Sequence, residues 1–164
     1  VKNERELAQR VRVLRKRVAA PLICEEFIEG RDLYVALLGN EPEVMPAVEL
    51  VIGRRGRGAP TFASYKLKND GAYRSRWRVR WRVAKLSSNL RRDVETASRA
   101  IFHALKLRDY GRIDYRLTPD GRIVFLEANA NPDLHPHAMG NHLCFAGVEY
   151  GAAVKRIIAA AQAR

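Results

Sequence analysis

Two stretches in which polar and apolar residues alternate, 111–117 and 122–129, flank Thr118-Pro119-Asp120-Gly121 and constrain this chain more than any other feature. Alternation with a period of two marks strands whose faces differ, and the Pro-Asp-Gly run between them is a turn. On the first strand Ile113, Tyr115 and Leu117 share one face, and Arg112, Asp114 and Arg116 the other. On the second, Val124, Leu126 and Ala128 form an apolar face, opposite Ile123, Phe125, Glu127 and Asn129. A two-residue connection through Pro119-Asp120 pairs 118 with 121, hence 114 with 125 and 112 with 127. A slip of one residue would press Glu127 into the core, which the cost of burying a charge forbids. The spacing therefore predicts Asp114, Glu127 and Asn129 on one face, with the two acids diagonal neighbours about 7–8 Å apart at the backbone.

Carboxylates that converge repel unless a positive group lies between them. Mg²⁺ suits the position, because it takes a few protein oxygens and completes its shell with water or phosphate, and Asn129 adds a neutral oxygen. The other reading is a solvated face on which Arg112 and Arg116 neutralise the acids. Spacing alone leaves both open.

Elsewhere the signals are coarser. Leu7, Val11, Leu14 and Val18 recur at helical spacing, so residues 2–18 read as an amphipathic helix ended by Pro21. Residues 22–28 and 33–38 read as a hairpin around Glu29-Gly30, and 44–52 as a third strand with Pro46 near its start. Residues 53–85 show no clean period and read as a long basic loop. Ser87-Ser88-Asn89 offers caps for a helix over 89–107, with Val94, Ala97, Ile101, Ala104 and Leu105 inward. A last helix is expected over 142–162. The fold class is α+β, an antiparallel sheet with flanking helices.

Thirty Lys and Arg against eighteen Asp and Glu give a formal charge of +12, which favours an anionic partner. The charge gathers at Arg54-Arg55-Gly56-Arg57 and again over 66–82, where Asp70 is the lone acid. Trp77 and Trp81 among arginines suit a surface that stacks on single-stranded nucleic acid, or else they pack beneath the loop. The two cysteines, Cys24 and Cys144, read as buried thiols of a cytoplasmic protein. No apolar run reaches the length of a membrane span. His135, His137 and His142 raise the question of zinc, but only Asp133 lies near enough in sequence to help complete a set.

The run Gly111-Arg112-Ile113-Asp114-Tyr115-Arg116-Leu117, followed by Asp120-Gly121-Arg122-Ile123-Val124-Phe125-Leu126-Glu127-Ala128-Asn129, resembles the metal-binding hairpin of ATP-grasp enzymes, in particular the D-alanine–D-alanine ligase-like branch. Residues 24–33 are similar to the adenine-binding hinge of that family, and the two blocks occur in the family's order. The resemblance implies that Glu25, Glu26, Phe27 and Ile28 hold adenine and that Asp32 meets the ribose. It implies that Lys68, or Lys66, meets phosphate, and that Arg112 steadies the transferring phosphoryl group. Asp114, Glu127 and Asn129 take the metal positions. The implied cofactors are ATP and Mg²⁺, with Mn²⁺ as a substitute. The implied chemistry is ligation of a small carboxylate to an amine through an acyl phosphate. The implied partners are those substrates, with a homodimer admitted and neither a membrane nor nucleic acid required.

Two departures accompany the resemblance. Residues 1–164 correspond to the carboxyl-terminal portion of an ATP-grasp domain, without the N-terminal domain and the glycine-rich phosphate loop, so the chain alone is not expected to be a competent ligase. After Asn129 the family continues x-x-Pro-Gly, whereas this chain has Ala130-Asn131-Pro132-Asp133. The resemblance therefore does not carry D-alanine over as the substrate, and implies that Asp133, His135 and His137 contact a different acid or amine.

Overall fold

Seven of the eight residues of β1 (Arg31–Leu38) are buried, and this strand is the axis of the sheet. Leu33, Val35 and Leu37 enter the core on one side, while Tyr34, Ala36 and Leu38 enter cores on the other. A strand covered on both faces needs apolar side chains on both, which explains the unbroken run Leu-Tyr-Val-Ala-Leu-Leu. The computed structural model describes residues 1–54, 56–135 and 139–163, with the side chain of Asn141 excepted.

Strand β5 (Tyr110–Leu117) pairs with β1 along its whole length, setting Tyr34 opposite Asp114 and Asp32 opposite Arg116. The other edge of β1 takes the two-residue β2 (Glu43–Val44) and then β3 (Val48–Ile52). Outer strands β4 (Val79–Val83) and β6 (Ile123–Asn129) complete the order β4-β3-β1-β5-β6, with every pairing antiparallel. Helix α4 (Ser88–Ala104) covers one face. Helices α2 (Tyr65–Asn69), α5 (Met139–Phe145) and α6 (Tyr150–Gln162) contribute to the cores of the opposite face. Helix α3 (Gly71–Arg76) follows α2, and α1 (Glu4–Arg15) begins the chain with no buried residue. This is the expected α+β class with an antiparallel sheet and flanking helices.

The expected hairpin of 22–28 with 33–38 does not form. Both edges of β1 are already occupied by β5 and by β2 with β3, so no ladder position remains for 22–28. Pro46 splits the third strand in two, although Met45 N–H still donates to the Ala36 carbonyl at 2.9 Å.

The basic stretch 53–85 is no long loop. It contains α2, capped by Ser64 on the Leu67 amide, α3, capped by Asp70 on the Tyr73 amide, and strand β4. The inward face of α4 runs through Val94, Ser98 and Phe102, leaving Leu105 53% exposed. Ser98 hydroxyl and Tyr115 phenol share a hydrogen bond of 2.9 Å inside that core. Both cysteines are exposed rather than buried.

Candidate nucleotide and metal site

The β5–β6 hairpin reaches the predicted face by a different register. Its connection has three residues: Thr118 N–H donates to the Arg122 carbonyl at 2.9 Å, and Gly121 adopts φ +88°, which a side chain would resist. Leu117 therefore faces Ile123, and Tyr115 faces Phe125. Then Leu126 is inserted as a bulge, so that Asp114 lies directly opposite Glu127 and Arg112 opposite Asn129. Without that extra residue Glu127 would share the face of Ile113 and Tyr115, inside the core. The bulge turns it over. Ala128 and Ile123 pack into the core instead, and Leu126, expected there, is 49% exposed.

Arg112 grips Asp114 with two parallel bonds, Nε to Oδ1 at 2.7 Å and Nη2 to Oδ2 at 2.8 Å, and its Nη2 stands 4.0 Å from Glu127 Oε1. Asn129 Nδ2 donates to the same Glu127 oxygen at 3.2 Å. Burial pushes the Asp114 carboxyl above the ordinary range despite the guanidinium beside it. Glu127, more open, is held below its ordinary value by the Asn129 amide, assisted by Asp114, Lys68 and Arg112. Two adjacent acids thus differ in proton affinity because one is buried and the other reaches water.

A cavity of about 470 Å³ opens beside this face. The segment from Glu25 to Ile28 forms one wall, Asp32 and Asp114 part of the floor, and Phe125 to Glu127 another side. Lys68 of α2 stands at the edge of this cavity and of a second one, whereas Lys66 Nζ sits 4.7 Å above the Tyr73 ring. Glu25 to Ile28, Asp32, Lys68, Asp114 and Glu127 thus line one cavity, Asn129 and Arg112 adjoin it through their bonds to Glu127 and Asp114, and Lys66 lies apart.

Arg116, read from sequence only as a counter-charge, has a larger part. It is 3% exposed and donates through Nε to the Ile28 carbonyl and through Nη2 to the Thr61 carbonyl, both at 2.8 Å, and through Nη1 to Asp32. The Ala63 amide donates to the other Asp32 oxygen at 3.1 Å. One guanidinium thus pins the hinge segment and the loop before α2 to the sheet. Its partnership with Asp32 was detectable only from the β1–β5 register, which the sequence did not fix.

The second cavity, about 680 Å³, lies on the far side of Lys68 and is bordered by Arg112, Asp133 and His135. The Asp133 carboxylate accepts from the His135 amide at 2.9 Å. His137 lies outside the described residues. His142 also borders this cavity. It is 3% exposed, with Nδ1 unpartnered among the described residues, and burial, with Arg112 in second place, pushes its proton affinity down to about 4. Among the described residues no three of His, Cys, Asp and Glu converge on a metal position, so the zinc alternative finds no site there. Trp77 is 5% exposed, and half-buried Trp81 packs edge-on against Tyr34 at 4.9 Å in the wall of the second cavity, so the two do not form a shared stacking surface. No helix among the described residues is long and apolar enough to cross a membrane.

Residues 1–159 match the family model described as D-ala D-ala ligase C-terminus. The chain belongs to that family. Among relatives of the family, an Aquifex aeolicus D-alanine–D-alanine ligase is 31% identical over 137 residues, which is 84% of this chain and 41% of the relative. A protein of Sinorhizobium fredii described as uncharacterized protein y4sG is 34% identical over 134 residues, or 81% of this chain and 38% of that protein. The chain thus spans about two-fifths of the length of these relatives. The crystal structure of the Bacillus anthracis D-alanine–D-alanine ligase complexed with ATP superposes with a TM-score of 0.75 at 18% identity, covering 99% of this chain and 49% of that one. At that identity the likeness is one of fold, the ATP-grasp type.

Proposed function

We propose that this chain seats ATP and a divalent cation within an ATP-dependent ligase that joins a carboxylate to an amine. The observation that carries this reading is the bulge that turns Glu127 and Asn129 onto the face of Asp114, with Asp114 and Glu127 lining a cavity shared with Glu25–Ile28. Bulges recur beside active sites, where they re-aim a side chain, and two carboxylates with an amide oxygen on one face suit a hard cation. ATP bound to the Bacillus anthracis relative of the same fold supports ATP as the ligand.

Adenine lies against Phe27 and the backbone of the hinge, and Asp32, steadied by Arg116, keeps the ribose side. Lys68 and Arg112 face the phosphates, whose charge needs positioning more than covalent help. Asp114, Glu127 and Asn129 offer two carboxylates and one amide oxygen. That set fits a hard cation such as Mg²⁺, or Mn²⁺, which phosphate oxygens would complete, and it lacks the nitrogen and sulfur donors that favour zinc. The ion supplies neutralisation of the phosphate oxygens when bound. Arg112 then divides its guanidinium between Asp114 and the phosphoryl group in transfer.

The reaction balances in two steps. A substrate carboxylate oxygen attacks the γ-phosphorus, the bond to the ADP oxygen breaks, and an acyl phosphate results. The amine nitrogen attacks the acyl carbon, phosphate leaves and the amine gives up a proton. The test is ATP affinity and substrate-dependent ADP release of the intact protein, with Mg²⁺ and after chelation. Asp114→Asn and Glu127→Gln are each expected to lose at least about tenfold in Mg²⁺-dependent ATP affinity, the equivalent of about 1.4 kcal/mol. Wild-type affinity in both variants would reject the reading.

A further inference from the structure

The second cavity is large and has an apolar wall. Tyr34, Leu50, Leu67, Val79 and Trp81 line it, and Trp81 meets both Tyr34 and His142, with ring centroids 4.9 and 5.8 Å apart. Strand pairing explains the wall: Trp81 lies opposite Leu50 on β3 and β4, next to Tyr34 on β1, so three strands turn ring and aliphatic carbon toward one space. Polar groups make up about half of the lining, and they include the buried His142 and the half-buried Arg112. Lys68 stands at the passage to the first cavity, Arg74 donates to the Lys68 carbonyl at 2.5 Å, and Asp133 keeps one carboxylate oxygen beyond its bond from the His135 amide.

A volume of about 680 Å³ falls within the range of sites that enclose ligands far larger than alanine. Tyr34, Leu50 and Leu67 are already buried, whereas Val79 and Trp81 are half-buried, and a bulky apolar group would cover what these two still expose. The charges sort a zwitterion: cations toward the phosphate side suit a carboxylate, and Asp133 suits an ammonium. We infer that the acid activated at this site is an amino acid with a bulky, apolar side chain, seated against Trp81 and Tyr34, in place of alanine. This inference rests on the ligase reading above.

The experiment uses the intact protein with Mg²⁺ and ATP, and reads acid-dependent ADP release and hydroxamate formation with hydroxylamine. The acids are alanine, leucine and phenylalanine, each in both enantiomers, and 3-phenylpropanoate. Phenylalanine or leucine is expected to exceed alanine by at least about tenfold in kcat/KM, the scale on which an apolar pocket discriminates. 3-Phenylpropanoate, which lacks the ammonium, is expected to fall between them. Val79→Phe, which adds bulk inside the wall, is expected to cut the ratio of phenylalanine to alanine about tenfold, with its melting temperature measured to exclude misfolding. Alanine equal to or better than the bulky acids, or no acid stimulating ADP release while ATP still binds, overturns this inference and leaves the nucleotide reading standing. Absence of Mg²⁺-dependent ATP binding overturns both.

Discussion

Arg116 shows how much of the cleft depends on one side chain. It is almost fully buried, and its donors satisfy two carbonyls and a carboxylate that belong to three separate segments. Replacing it by methionine leaves the buried Asp32 without its cation, and breaking such a pair costs about 3–5 kcal/mol. Arg116→Met is therefore expected to lose that much unfolding free energy in urea and, because the hinge is released, to bind ATP more weakly in the folded fraction. Double substitution with Asp32→Asn should recover part of the stability but not the ATP affinity, since the Ile28 and Thr61 carbonyls stay unbonded. His142 adds to the acid sensitivity of the fold. Its ordinary value of 6.5 is depressed to about 4 in the fold, chiefly by burial. The neutral ring's contribution is fully present above 6.5 and is lost as pH falls toward 4, a ceiling of roughly 3 kcal/mol. Unfolding free energy measured at pH 7.0 and pH 4.5 should fall by about 2 kcal/mol more in the wild type than in His142→Gln. Equal falls would show that the ring is reached by water.

The elements differ in how openly the sequence declares them. Helix α4 and the two hairpin strands are legible because each is long enough to display its period, and β1 because it is an unbroken apolar run bounded by turn residues. Helices α2 and α3, at five and six residues, are too short to do so, and only their caps Ser64 and Asp70 could have revealed them. Residues 22–28 carry strand-like composition but find no vacant edge, a property of the sheet and not of the segment. The bulge at Leu126 is invisible because Val124, Leu126 and Ala128 look like one apolar face. Asp114, Glu127 and Asn129 came to one face as expected, yet through two compensating differences, a longer turn and an inserted residue. That compensation can be tested. Deleting Leu126 restores plain alternation and drives Glu127 into the core, where an unpaired carboxylate is costly. The deletion is expected to lower Mg²⁺-dependent ATP affinity by more than about a hundredfold, equivalent to about 2.7 kcal/mol, while Leu126→Ala, which keeps the residue count, loses less than about tenfold. Similar losses in both would mean that the Leu126 side chain, and not the register, matters.

Across the whole molecule the two faces of the sheet have divided tasks. The α4 face closes over Leu33, Val35, Phe102 and Ile113, all of them without exposed surface, and holds the fold together. The opposite face leaves Asp114, Arg112 and both cavities reachable, and its stability is spent on positioning charges. Helix α1 belongs to neither. It buries no residue, and its stability comes from its own ends: Asn3 accepts from the Glu6 amide, Glu4 and Glu6 stand in the first turn, and Arg12 and Arg15 in the last. Twelve residues held in this way are a marginal helix in water. Removing residues 1–18 is therefore expected to change the unfolding free energy of the rest by less than about 1 kcal/mol, whereas Phe102→Ala, at a site with no exposure, should cost about 3–5 kcal/mol. Urea unfolding of the two variants beside the wild type decides the matter, with circular dichroism to follow the lost helix. A truncation as costly as Phe102→Ala would show that α1 is packed on the sheet in solution and that the division into a structural face and a working face is incomplete.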